Sequence, residues 1–385
     1  MWALRILFRN AFRNKLRTGL TILGITIAIL SFGLLRTVIS TWYSGVESSS
    51  ATRLVTRNAV SLMFSLPLSY RDRIRQINGV KIVSYGNWFG GIYQDEKNFF
   101  PNFAVEPRSY LDLYPEFVLS PEQKAAFLSD RKGCVVGRKL AAKYGWKVGD
   151  LITLQGKIYL GNWDFVLRGI YRGRDESTDE NQFFFHWDYL NEIVKKTLPS
   201  QADHVGFYMI GVASPDLAAG VSAATDSTFK NSLAETLTET EKAFQQGFIA
   251  MSGAIVMAVQ LVSMVVIVLI MAVVANTMAM TTRERIGEYA IMKTLGFGGY
   301  HIATLILGES LVITLIGCLL GIAFTFPAAQ AFSHSLGTFF PSFHVKAKTL
   351  LLDLAASGAV AVLAAAIPTR RAIRIRIAEG LRRIG

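Results

Sequence analysis

Apolar residues along this chain fall into two kinds of run. Four runs are long and nearly free of charge. Thr18 to Leu35 lies between Arg17 and Arg36, and Phe248 to Met280 has no charged residue. Ile302 to Pro327 carries one acid, Glu309, and Leu354 to Pro368 reaches spanning length when extended back to Leu350 across Asp353. A bilayer core about 30 Å thick takes roughly 20 helical residues, so each run predicts a membrane span. Elsewhere the apolar runs are short. Ser69–Ile77 and Pro121–Ser129 read as helices, while Val80–Tyr93, Phe99–Val105, Trp163–Tyr171 and Phe183–Trp187 read as strands. Cys134 to Gly156 reads strand, helix, turn, strand, with Gly145 and Gly149 as turn residues.

The fold class expected is membrane α-helical with an α+β extracytoplasmic domain, four transmembrane helices per chain, the first two extended as a stalk. Residues 1–17 alternate apolar and basic side chains, as in an amphipathic helix lying in the interface. The spans follow at 18–39, 228–280 (stalk helix and second span together), 300–327 and 350–368. A mixed α/β domain, expected in two lobes, occupies 40–227. A cytosolic segment, 281–299, joins spans two and three; an outer loop, 328–349, joins spans three and four; a basic tail is 369–385. The polar stretches Arg36–Arg57 and Thr228–Gln246 are read as helical continuations of the spans, against the alternative of two independent surface helices.

Composition agrees: 51% of the 385 residues are hydrophobic and 18% charged, against about 25% charged in soluble domains. The net charge of +12 is concentrated. Residues 1–17 and the tail after Pro368 carry +5 each, and 281–299 carries +1. Four spans put those three segments on one side, and the positive-inside rule makes it the cytoplasm. The charge thus reads as topology and contact with membrane lipid, not as nucleic-acid binding. The basic leader and long first run suit an uncleaved anchor rather than a signal peptide. Cys134 and Cys318 fall in different regions and are read as unpaired packing residues.

No active-site chemistry stands out. There is no G-x-x-x-x-G-K-S/T phosphate loop, no G-x-S-x-G and no H-E-x-x-H. His186, His204, His301, His334 and His344 are scattered, so no metal site is expected. No cofactor is expected on this chain. Three features remain. Thr281–Phe297 is too long for a plain turn: Thr281 and Thr282 suit a helix start, Ile286, Ala290 and Lys293 share a face, and Gly296 ends it. Gly317-x-x-x-Gly321 has the spacing that lets membrane helices approach closely. Glu309 needs a partner within its span, with Arg17 or the basic cluster near 370 as candidates, or else marks a proton or substrate path.

Taken together, RNKLRTGLTILGI entering span one, TRERIGEYAIMKTLGF after span two, GESLVITLIGCLLG in span three and IPTRRAIRIRIAEGLR after span four resemble the FtsX-like permeases of type VII ABC transporters. That family includes MacB-type exporters and the LolC/LolE lipoprotein-release subunits. GCVVGRKLAAKYGWKVGD resembles the MacB-type periplasmic core domain. The resemblance implies a coupling helix to an ATPase, carried here by Arg283, Glu284, Arg285, Ile286, Gly287, Glu288, Lys293, Leu295 and Gly296. This chain reads R-E-R-I-G-E where the family more often has R-x-R-E-I-G, which leaves Glu284 and Glu288 as rival contact residues. It implies an ABC-type ATPase subunit on a separate chain, binding ATP and Mg. It further implies a second permease copy or related permease, a periplasmic adaptor and outer-membrane channel in tripartite systems, and a bacterial inner (cell) membrane location with both termini cytoplasmic. The expected function is ATP-driven export or extraction of a hydrophobic substrate such as a lipid, lipoprotein, peptide or drug. The alternative is mechanotransmission to a cell-wall hydrolase or a peptide sensor without transport.

Overall fold

A computed structural model describes residues 2–43, 49–96, 98–175, 178–251, 253–336 and 345–375. It divides into two compact units: helices from Met1–Ser40, Gly253–Ser335 and the stretch after Phe343, and a domain built on Thr41–Ser252. The chain opens with α1 (Trp2–Ala11) and, after a short turn, α2 (Lys15–Trp42). The expected single interfacial helix over 2–17 is therefore broken at Phe12–Asn14, where hydrogen bonds to Phe8 and Asn10 close the turn.

The domain strings together β1 (Arg53–Asn58), β2 (Leu66–Pro67), α3 (Tyr70–Arg75), β3 (Val80–Trp88), β4 (Gly91–Ile92), β5 (Asn102–Val105), α4 (Pro107–Leu113) and β6 (Phe117–Val118). It continues with α5 (Pro121–Ser129), β7 (Gly133–Gly137), α6 (Arg138–Tyr144), β8 (Leu151–Gly156), β9 (Gly161–Gly173), β10 (Phe183–His186) and α7 (Trp187–Thr197). It closes with β11 (His204–Val205), β12 (Phe207–Val212), α8 (Ala218–Thr228), β13 (Thr236–Thr240) and α9 (Glu241–Met251). One mixed sheet runs β13-β1-β12-β3-β5-β10-β7-β9-β8-β4, with β6 beside β9 and a second, two-stranded sheet of β11 and β2. Both faces are covered. In β10, Phe183 and Phe185 enter one core and Phe184 the other; Leu54 and Val55 of β1 divide the same way. The period of two in a strand explains the split, and burial on both faces explains why such strands read as continuous apolar runs.

The stalk reading of 228–246 is corrected here. Residues 236–240 form β13, antiparallel to β1 with Leu54 opposite Thr240 and Asn58 opposite Thr236, and a helix starts only at Glu241. Likewise, within Arg36–Arg57 the helix α2 reaches Trp42 and Arg53 opens strand β1, with residues 44–48 outside the described residues. Alternating Thr236, Thr238 and Thr240 favour the sheet, and the Thr238 and Thr56 hydroxyls meet at 2.9 Å. Where β1 enters and α9 leaves, Arg53 pairs with Glu241 at 2.8 Å and Glu116 at 2.7 Å and lies over the Tyr114 ring. Glu241 also accepts the Ser50 backbone N–H and the Tyr114 hydroxyl.

The remaining helices are α10 (Gly253–Glu284), α11 (Ile286–Thr294), α12 (Gly299–Leu336) and α13 (Ala347–Arg374). With α2, the helices α10, α12 and α13 are long and apolar enough to cross a membrane. Pro327 and Pro368, expected at span ends, lie inside α12 and α13; membrane bundles tolerate such prolines because neighbouring groups satisfy the freed carbonyls. The tail beyond 375 and residues 337–344, including His344, lie outside the described residues, and the expected 328–349 loop is otherwise largely helical, since α12 continues to Leu336 and α13 starts at Ala347. Within the bundle, α12 packs on α2 through Gly317 and Gly321: a Cβ on either would stand 2.7 Å from Ile25 or Ile29. The stripe Ile270, Val274 and Met278 of α10 shares a core with Val360 and Ala364 of α13.

Candidate coupling site

The segment singled out in the sequence is organised differently from the expectation. Thr281 and Thr282 do not start a helix; α10 runs unbroken through them to Glu284. The break is at Arg285, with φ −103° and ψ 13°. It is slight, because the Arg285 N–H still bonds to Thr281 and the Tyr289 N–H to Arg285. At the other end Gly296 has φ +89°. The Phe297 N–H reaches back to Met292 at 3.0 Å and that of Gly296 to Lys293 at 3.1 Å, a left-handed cap that glycine adopts without strain. Tyr289 and Ala290 are buried, and Tyr289 packs with Ile302, Ile306, Ala365 and Ala372.

The charges form a connected set. Glu284 takes two hydrogen bonds from Arg17, at 2.6 and 2.9 Å, and one from Asn14 at 3.3 Å. Glu288 pairs with Arg13 and, at 2.8 Å, with Arg285. Arg285 in turn donates to Glu309 at 3.0 Å. Burial raises the Glu288 carboxyl, but its bonds to Arg13 and Arg285 outweigh this and hold it below the usual carboxylate range. Burial lowers the Arg285 guanidinium, and Tyr289, Glu288 and Glu309 together turn the shift upward. A polar cleft of about 410 Å³, lined by Asn10, Arg13, Asn14, Arg17, Glu284 and Arg285 among others, opens between these groups. Lys293 donates to the carbonyls of Ile373 and Ile375, at 2.6 and 2.9 Å, and so caps the end of α13.

Several expectations change. The rival acids, Glu284 and Glu288, are both engaged with arginines of the N-terminal segment. Glu309 is paired, but with Arg285, which is nearer in space than Arg17 or the 370 cluster. Ile286 and Gly287 are half-buried at the start of α11, whereas Arg283 is exposed and has no ion pair among the described residues. α11 and its exit turn expose large apolar side chains, Ile291, Leu295 (71% exposed), Phe297 and Tyr300, with Thr294, Gly296 and Gly298 among them. Arg13 and Arg17 were read for topology and resemblance, and Arg17 as a candidate partner for Glu309, but their pairing with Glu288 and Glu284 was missed, since no local pattern marks an arginine whose acid lies some 270 positions away. Among the described residues no group of three or more His, Cys, Asp or Glu side chains is placed to hold a metal.

This architecture has known counterparts. Residues 18–228 match the MacB-like periplasmic core domain and residues 260–377 the FtsX-like permease C-terminal region. The chain belongs to this family of FtsX/MacB-type ABC transporter permeases, and membership implies an ATPase partner. It is 24% identical to an uncharacterised ABC transporter permease of Methanocaldococcus jannaschii, over 97% of this chain and 96% of that protein. Among solved structures it is similar to the extracellular domain of the noncanonical ABC-type transporter YknZ from Gram-positive bacteria (11% identity, TM-score 0.37, 49% of this chain and all of that one). It is also similar to the periplasmic region of MacB from Actinobacillus actinomycetemcomitans (9% identity, TM-score 0.37, 53% of this chain and 95% of that one).

Proposed function

We propose that this chain is the permease subunit through which a separate ATPase, loaded with ATP and Mg, drives export or extraction of a hydrophobic cargo. The observation that carries this reading is the two-sided construction of α11. Its inner side is tied to the α1–α2 turn by Glu288–Arg13, to α12 through Arg285–Glu309 at its start, and to α13 by Lys293, so displacement of α11 is handed to the bundle. Its outer side, Ile291, Leu295 and Phe297, with Arg283 beside it, forms the contact for the ATPase. In this arrangement Glu284 and Glu288 are transmission residues and not the contact itself. Leu295→Asp should abolish copurification of the ATPase while leaving the permease folded. The charge swap Arg13→Glu/Glu288→Lys should retain binding better than Glu288→Lys alone. Unchanged ATPase copurification and stimulation in Leu295→Asp sinks this assignment.

For the cargo, the supporting feature lies in the domain. Val60, Leu62, Met63 and Phe64, between β1 and β2, are exposed, and so are Leu233 and Leu237 nearby. The two segments are joined by the Ala59 N–H bonded to the Glu235 carbonyl. Exposed apolar side chains grouped on two neighbouring segments support a binding surface that suits acyl chains or apolar peptides. The open apolar face of α10, with Leu261, Val265 and Leu269 exposed, is the side available to lipid and to a second permease copy. The charge pattern supports a cytoplasmic location for both termini, with the domain outside.

A further inference from the structure

Two acids sit inside the spans, and they are treated differently. Glu309 has Arg285. Asp353, two turns into α13, is fully buried, and neither of its carboxylate oxygens has a hydrogen-bond partner among the described residues. An ionised, unpartnered carboxylate within a membrane bundle is strongly unfavourable. The neighbouring groups show what form of the side chain they suit. A Cβ on Gly33 of α2 would stand 3.3 Å from Asp353 Oδ2 and 3.2 Å from Thr325 Oγ1 of α12, so the carboxyl lies in close contact with the α2 backbone.

The hydroxyls around it are buried too, and their protons are already committed. Thr325 donates to the Gly321 carbonyl at 2.8 Å, Thr37 to Gly33 at 2.7 Å and Ser357 to Leu354 at 2.9 Å. None of them hydrogen-bonds Asp353, so among the described residues neither a donor nor an opposing charge is paired with its carboxyl. Gly33 and Thr37 face from α2, Cys318 and Thr325 from α12, and Ser357 from the same helix. Cys318 is the one titratable group among them, and its S–H is directed at the Asp353 backbone carbonyl. Along α10, which packs on α13, no charged residue precedes Arg283. Lys346 and Lys348, the cations closest in sequence, and Arg36, which follows Gly33 on α2, make no ion pair with Asp353 among the described residues.

We propose that Asp353 is an exchangeable proton-binding site within the bundle, neutral in the arrangement seen here and ionising when α2 and α12 part enough to admit water. The site lies toward the end where α2 stops and α10 starts, so the proton exchanges with that side. Opening ionises the acid, and closing requires it to take the proton back. Closure therefore becomes sensitive to proton concentration on that side.

The test uses the full-length permease alone in lipid vesicles, so its outcome is independent of ATPase coupling. Infrared difference spectra are recorded as the bath is taken from about pH 5 to about pH 9, on either side of where a buried carboxyl titrates. The expected result is a protonated-acid carbonyl band that disappears at the alkaline end and is absent from Asp353→Asn, whose amide mimics the neutral acid in shape. As a readout that needs no variant, an apolar carbodiimide, which attacks protonated carboxyls, should label Asp353 in the wild-type chain. That labelling should fall about tenfold or more over the same range. A band or labelling that does not change with pH means a fixed structural proton and overturns the proposal. No band at any pH overturns it as well. Suppression of labelling by sodium at constant pH would make this a cation site instead, which also overturns it.

Discussion

Arg285 holds two acids, Glu288 and Glu309, and lies over the Tyr289 ring at the point where α10 gives way to α11. Its side chain is 10% exposed and that of Glu309 5%. Removing one member of a buried pair leaves the other charged and uncompensated, at a penalty of about 3–5 kcal/mol, whereas replacing both by apolar groups is often near neutral. Arg285→Met should therefore lower the thermal stability of the detergent-solubilised chain sharply, and Arg285→Met/Glu309→Leu should recover most of it. Equal loss in the single and double variants would contradict the pairing. Surface pairs such as Lys124–Asp112, with both side chains well exposed, should contribute no more than about 1 kcal/mol when broken.

Among the elements, α2 and α12 approach most closely where glycine permits it. Gly321→Leu would drive a side chain into Ile29 and the Thr26 carbonyl, which a Cβ at this position would already meet at 2.7 and 3.0 Å. Overpacking of this kind costs about 1–3 kcal/mol or more. The expected result is a lower melting temperature or failure to accumulate in membranes, with Gly321→Ala intermediate; wild-type behaviour of the leucine variant would refute the contact. How much could be read beforehand followed the range of the interaction. The spans, the Pro121 helix and the strand-helix-strand of 133–156 depend on local periodicity and turn residues, and they stood in the sequence. Residues 236–240 were misread because Leu, Glu and Ala around them favour helix, while the deciding partner, β1, lies some 180 positions earlier. For the same reason the acids of 284–288 were visible but their arginines were not. Gly317 and Gly321 were legible as a spacing, but not that Ile25 and Ile29 would fill it.

At the scale of the molecule, the charge distribution and the alternation of spans make a claim that labelling can check. Cys134 and Cys318 are both buried and unpaired, so they give a low background to a membrane-impermeant maleimide. Arg283→Cys and Val60→Cys place single exposed thiols at α10's end and in the domain. In sealed, right-side-out vesicles Val60→Cys should label at once and Arg283→Cys only after permeabilisation. The opposite order would invert the topology, and labelling of both before permeabilisation would remove the second span.

The Arg53–Glu241 pair gains a further meaning from the register beside it. β1 and β13 are antiparallel neighbours, and the chain enters and leaves their ladder at the same end, next to the Leu54–Thr240 rung. Tension arriving through the two connections would peel this ladder open one rung after another, as a zipper opens, instead of shearing all rungs together. Such a geometry is mechanically soft. The guanidinium and carboxylate sit one residue outside the first rung, where the slider of a zipper would rest, and Glu116, Tyr114 and Ser50 close around them. A pull on the domain thus meets an ion pair before it meets the sheet.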